Sequence, residues 1–118
     1  MTMQTKDLQL LQHILQYCIK IKNTISRFGE DFVVFIADSD YRDSVSMNLL
    51  QIGELAGKLS EEYVSATKQN MDWRAMKAMR NFFAHNYGSM DYERIWQTAI
   101  DDIPKLKKYC EEQINSYC

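Results

Sequence analysis

Residues 32–36 read Phe-Val-Val-Phe-Ile, FVVFI, a run whose composition favours a β-strand. How it is read decides the fold class. A lone strand leaves its backbone N–H and C=O groups unpaired, and no partner run occurs elsewhere in the 118 residues. The stretch is therefore read as a short buried helical turn or the start of a second helix, and the chain as all-α.

Working outward supports this. On the N-terminal side, Leu8, Leu11, Leu15, Cys18, Ile21, Ile25 and Phe28 recur at steps of three or four. Leu10, Ile14 and Tyr17 widen the stripe. That predicts an amphipathic helix from about Thr5 to Phe28 with Gly29 as its C-cap. On the C-terminal side, Asp38-Ser39-Asp40 is a stop-and-start signal. Asp40 or Ser39 would cap a helix running to about Leu59, with Val45, Leu49, Ile52, Ala56 and Leu59 inward. Gly53 and Gly57 lie one turn apart on that helix and suggest close approach of a neighbour. A glycine there costs about 1 kcal/mol against alanine.

Ser60-Glu61-Glu62-Tyr63 starts a short turn. Asp72 would cap a helix from Trp73 to about Asn86, which Gly88 and Ser89 break. Asp91 would cap the last helix, Tyr92 to about Tyr117, kinked by Pro104 near Ile100–Asp101. The chain holds one proline and four glycines. The expected architecture is an up-and-down bundle of four long helices with short extra turns, in a single domain spanning 1–118.

The totals exclude several function classes. A formal charge of −2 makes the chain no polycation, so nucleic-acid binding would need a local patch. Cys18, Cys110 and Cys118 are too few and too widely spaced for a disulfide framework or a zinc site. No metal and no cofactor is expected. No apolar run approaches the about 20 residues that span a bilayer. MTMQTKDLQLLQ lacks the basic and apolar regions of a signal peptide, so a cytoplasmic location is expected.

Chemistry concentrates in residues 80–87, Arg-Asn-Phe-Phe-Ala-His-Asn-Tyr (RNFFAHNY). At about 100° per residue, Ala75, Met76, Met79, Phe82 and Phe83 share one arc of their helix. Arg74, Lys77, Arg80, Asn81 and His85 take the opposite side, and Tyr87 returns near Arg80. Asn81 and His85 are four apart, hence surface neighbours. An arginine fork that can pair with phosphate and an imidazole that titrates near neutrality suit phosphodiester cleavage without a metal. The same residues equally fit a solvated helix face, with a histidine favourable to the helix C-terminus. One histidine per chain fills only one of two proton-transfer roles. A two-fold dimer would bring two copies together.

Arg80-(x)4-His85-x-Tyr87 resembles the R-x4-H-x-Y motif of the HepT toxins, a family of HEPN-domain ribonucleases. The likeness extends to LLQIGELAGKLSEEY (49–63), with its Gly53-Glu54 pair. It continues through DWRAMKAMRNFFAHNYGSMDYERIWQTAIDDIPKL (72–106), with the Trp, Arg-Asn, His-x-Tyr, Asp, Trp and Ile-Pro in order. Together these cover about half the chain, and the ordered set is far more specific than the short motif.

The resemblance implies an all-helical two-fold dimer whose Arg and His strips meet in a cleft between subunits. By the same resemblance Arg80 binds and polarises phosphate, His85 is general acid or base, and Asn81 orients the phosphate or imidazole. Arg74 and Lys77 remain weaker substrate-binding candidates. Tyr87 resembles the tyrosine to which the partner antitoxin, an MNT-type nucleotidyltransferase, transfers AMP. The implied function is the endoribonuclease toxin of a type VII-like toxin–antitoxin pair. A second reading is a non-catalytic helical dimer that binds a substrate or anion and partners a nucleotidyltransferase. A third is a purely structural dimer indifferent to Arg80 and His85.

Overall fold

The computed structural model describes residues 4–85 and 91–117, with only the backbone at 82–85. The described residues form helices, turns and bends and no strand, so the all-α class holds. The order is α1 (Thr5–Phe28), α2 (Phe32–Ala37), α3 (Ser39–Ala56), α4 (Glu61–Thr67), α5 (Trp73–His85), α6 (Tyr92–Gln97) and α7 (Ile103–Asn115). A π turn, Thr98–Asp102, joins the last two.

FVVFI is helical, but not because it is buried. Asp31 caps α2 by accepting from Val33 N at 2.8 Å, and only Phe35 is buried while Val33 is 69% exposed. Phe35 inserts into an aromatic cluster. Its ring lies 5.1 Å from Tyr41 and 4.9 Å from Trp96, and Phe28 stacks on Tyr41 at 4.8 Å. One deep aromatic anchor is enough to dock a two-turn helix whose other side faces water.

α1 packs against both α3 and α7. Its buried line is Leu10, Leu11, Ile14, Cys18 and Ile21, whereas Leu8, Leu15, Ile25 and Phe28 are only partly buried. The deepest face is therefore rotated from the expected stripe toward the residues that were read as widening it. A helix sandwiched between two neighbours buries the bisector of its apolar arc.

The helix ends follow backbone accounting. Gly29, at φ 105°, sends its N–H to Ile25 O at 2.8 Å, and its own carbonyl accepts from Tyr41 Oη at 2.8 Å. The cap of α3 is Asp38, one residue earlier than expected: its Oδ1 accepts from Asp40 N at 2.9 Å and Tyr41 N at 3.3 Å. Asp40 and Ser39 are already helical, which leaves Asp38 as the carboxylate able to reach back to those N–H groups. α3 stops at Ala56, short of Leu59. Gly57 N still bonds Gly53 O at 3.1 Å, after which Lys58 and Leu59 tighten to bonds with Leu55 O and Ala56 O. The expected inward set, Val45, Leu49, Ile52, Ala56 and Leu59, is buried throughout.

Asp7 is the buried carboxylate of α1, 1% exposed. It accepts from Ser60 N at 2.8 Å and Ser60 Oγ at 2.7 Å, while Ser60 Oγ accepts from Tyr63 N at 3.1 Å to cap α4. At the far side of α4, Trp73 Nε1 donates to Thr67 Oγ1 at 2.8 Å, and Thr67 Oγ1 donates to Tyr63 O at 2.7 Å. Tyr63 and Tyr109 share a hydroxyl contact of 2.6 Å. Their burial raises both phenols. Trp73, the first residue of α5, is thus locked by its ring and its N–H together.

Pro104 does disturb the last helix, by a local device. Ile103 N–H bonds Thr98 O, five residues back, which makes the preceding turn a π turn. Proline has no N–H and its ring crowds the carbonyl four residues earlier. A wider turn relieves that crowding.

Candidate active site

α5 is seated on α3 through glycine. A Cβ built on Gly53 would lie 2.9 Å from Met76 O, 3.0 Å from Arg80 Cβ and 3.2 Å from Arg80 N. One turn on, a Cβ at Gly57 would lie 3.7 Å from Lys77 Cγ. Advancing along α3 from 53 to 57 thus runs back along α5 from 80 to 77, so the two helices are antiparallel. The close approach expected from the glycine pair is tightest at Gly53.

This contact adds to the wheel reading of α5. The seam is Trp73, Met76 and Arg80, spaced three and four apart. Trp73 is 3% exposed. The seam takes Met76 from the edge of the apolar arc and turns toward Arg80, and Met76 and Met79 both pack against the core. Ala75 is exposed, and Met76 and Met79 are half-buried. Those three line an open groove of about 550 Å³ with Leu49, Ile52 and Ile95. Wheel arithmetic assumes that a helix packs through its apolar side. Here the backbone and Cβ of Arg80 pack, because Gly53 presents no side chain to hold them off. The arginine's stem follows α3 and its head reaches solvent.

The head has defined partners. Arg80 Nε donates to Glu54 Oε1 at 2.6 Å, and Arg80 Nη1 donates to Asn81 Oδ1 at 3.4 Å. The side chains of Arg80 and Glu54 are 48% and 39% exposed. A guanidinium carries five N–H donors, so among the described residues these two contacts leave others for a ligand. Arg74, Lys77 and Asn81 are also exposed. Arg80, Asn81 and Glu54 are therefore brought together, with Lys77 one turn away along the same seam. His85 is the last residue of α5, so its backbone continues the Arg80 helix. Its side chain lies outside the described residues, as does Tyr87 altogether.

Glu54 enters the sequence reading only as half of the Gly53-Glu54 pair, and the structure sets it beside Arg80. The available signal was the Gly53-Glu54 dipeptide, since a glycine that admits another helix puts its neighbour beside that helix. The Asp40–Asp43 stretch serves the fold. Tyr41 is in the core and Arg42 donates to Ile36 O and covers the Tyr92 ring. The 550 Å³ groove does not include Arg80, Asn81 or Glu54. Phosphate chemistry asks for a charged surface more than an apolar hollow, so the basic strip remains the better candidate.

A helical bundle that presents an arginine and asparagine from the helix bearing the histidine defines an all-α domain with an exposed, cation-bearing strip. The family model described as Ribonuclease HepT-like matches residues 10–113, and the chain belongs to that family. "Putative RNase TTE0752" of Caldanaerobacter subterraneus subsp. tengcongensis is 29% identical over 86% of this chain and 88% of its own. "Putative RNase MJ1380" and "Putative RNase MJ0127" of Methanocaldococcus jannaschii are 27% and 31% identical. Each is matched over 70% of this chain, and over 84% and 68% of their own lengths. No solved structure matches the chain significantly. No helix among the described residues is long and apolar enough to cross a membrane.

Proposed function

We propose that the protein is an endoribonuclease that cleaves RNA without a metal, with Arg80, Asn81 and His85 as its catalytic residues. The observation that carries this reading is the placement of Arg80. Its stem is clamped against Gly53 and its head is solvent-facing beside Asn81, on the helix that ends at His85, in a chain of the Ribonuclease HepT-like family. RNA supplies its own nucleophile. A base removes the ribose 2′-hydroxyl proton, the oxygen attacks the adjacent phosphorus, and the 5′-oxygen leaves with a proton from an acid. His85 serves one of these proton transfers, Arg80 neutralises the developing phosphorane charge, and Asn81 orients the phosphate or the imidazole.

The second proton-transfer group comes from a second copy, in a cleft between two-fold related chains. The open groove lined by Ala75, Met76 and Met79, with Asp72, Arg94 and Lys105 beside them, is a surface on the Arg80 helix that such pairing can use. The chain acts as the toxin of a type VII-like pair in the cytoplasm. An MNT-type nucleotidyltransferase antitoxin silences it by transferring AMP to Tyr87. That group adds bulk and negative charge next to the phosphate site.

The test is incubation of partner-free protein with total RNA in EDTA, beside His85→Ala and Arg80→Ala. The expected result is cleavage by the wild type and a loss of about 100-fold or more in each variant. Intact mass must first exclude added AMP. Unmodified protein that cuts nothing sinks the nuclease reading and leaves a binding module for a nucleotidyltransferase.

A further inference from the structure

Glu54 sits beside the proposed phosphate site with the same sign of charge as the substrate. It does not earn its place through stability. An ion pair this exposed is screened by water and adds little to stability. Nor does it add affinity for RNA, since a carboxylate next to a phosphate repels it. What it does do is geometric. Its Oε1 takes the Nε–H of Arg80 at 2.6 Å, the shorter of Arg80's two contacts among the described residues. Gly53, its chain neighbour, holds the Arg80 Cβ and N against the α3 backbone.

The two contacts constrain different freedoms. Gly53 fixes where the arginine stem leaves α5. Glu54 fixes the rotation of the guanidinium plane at the other end of a long side chain, with Asn81 adding a weaker hold at Nη1. The donors at the end of the fork, on Nη1 and Nη2, then present a defined edge outward. A planar fork recognises a phosphate by paired N–H bonds only when that edge is correctly turned.

Resting on the ribonuclease reading above, we infer that Glu54 is a positioning residue. Its carboxylate holds Arg80 through Nε so that the Nη edge meets the scissile phosphate. This predicts an unusual split. Glu54→Ala lowers kcat by about 10- to 100-fold, the scale of a misplaced catalytic group, while KM for RNA stays level or falls because a repulsive charge is gone. Glu54→Gln keeps an acceptor oxygen at Nε and retains kcat to within about threefold, with the weaker neutral bond accounting for the difference. Arg80→Ala, in contrast, lowers kcat and raises KM.

The experiment measures kcat and KM for these three variants and wild type on one RNA, all confirmed free of AMP by mass. A ¹H–¹⁵N spectrum of the arginine Nε–H groups runs alongside. Arg80 Nε–H should be distinct and slow to exchange in wild type and Glu54→Gln, and should merge with the solvated arginines in Glu54→Ala. Active wild type with an equally active Glu54→Ala overturns the inference and leaves the nuclease reading intact. So does a Glu54→Gln as impaired as Glu54→Ala, or an Arg80 Nε–H that exchanges freely in wild type. A wild type with no activity overturns both.

Discussion

Two carboxylates of this chain each meet a partner more than twenty residues away, and they do opposite things. Asp7 is 1% exposed and spends both oxygens on Ser60, one on its backbone N–H and one on its hydroxyl. Glu54 is 39% exposed and spends one oxygen on one N–H of Arg80. Buried polar groups must be satisfied or they cost stability, so the Asp7 pair leaves nothing over for a ligand. The exposed pair leaves donors unspent on the arginine, and water or a phosphate can reach them. The difference separates a contact that holds the bundle together from one that aims a side chain outward.

The sharpest way to break this contrast is Asp7→Ala. It strands the Ser60 donors and removes the tie between α1 and the start of α4, so about 2–3 kcal/mol of stability should go. That is a fall of about 10 °C in Tm. A calorimetric Tm within a degree or two of wild type would show Asp7 to be as dispensable for folding as Glu54.

Gly53→Ala comes next. With Met76 O at 2.9 Å from the new Cβ, α3 and α5 must part, at a cost of about 1–3 kcal/mol by urea unfolding. The change should also lower RNA cleavage, because Arg80 moves with α5. A loss of stability with full activity would mean that the seam does not set the arginine's position.

Tyr41 tests the buried side of the comparison through pH. Burial, with the Glu30 carboxylate adding to it, pushes its hydroxyl from 10.0 up to about 12. The folded state therefore holds the proton more tightly than the unfolded one. The stability this supplies is complete below pH 10.0 and is lost as pH rises through about 12. Tyr41→Phe should lose about 1 kcal/mol at neutral pH, through its bond to Gly29 O. It should also flatten the alkaline decline in a series of urea melts. An unchanged decline would assign it to other groups.

The smallest effect belongs to the exposed pair. A double-mutant cycle of Glu54→Ala and Arg80→Ala should give a coupling below about 1 kcal/mol in stability. A larger value would make the pair a staple of the fold and erase the contrast with Asp7.

Much of this was legible in the sequence. The span of α1 was legible, because apolar periodicity and a glycine cap agree at its end, Phe28–Gly29. FVVFI read as helix by elimination, and Pro104 announced a distortion. What the sequence did not yield was direction. The α5 seam lies along Arg80, since hydropathy cannot register a glycine on another helix that makes room for an arginine stem. Asp38 displaced Ser39 and Asp40 as the cap of α3 because three neighbouring side chains could each serve, and only geometry chooses. At the candidate site the strip of residue types was visible in eight letters. The Glu54–Arg80 contact spans 26 positions and leaves no local pattern.

The Gly53 contact also limits how this chain can vary over evolutionary time. With a carbonyl 2.9 Å from where a Cβ would stand, position 53 cannot gain a side chain unless the α3–α5 spacing changes. Positions 53 and 80 should therefore change together or not at all. A relative that has replaced the glycine has also released its arginine, and is the place to look for a member of the family that has given up cutting and kept only the bundle.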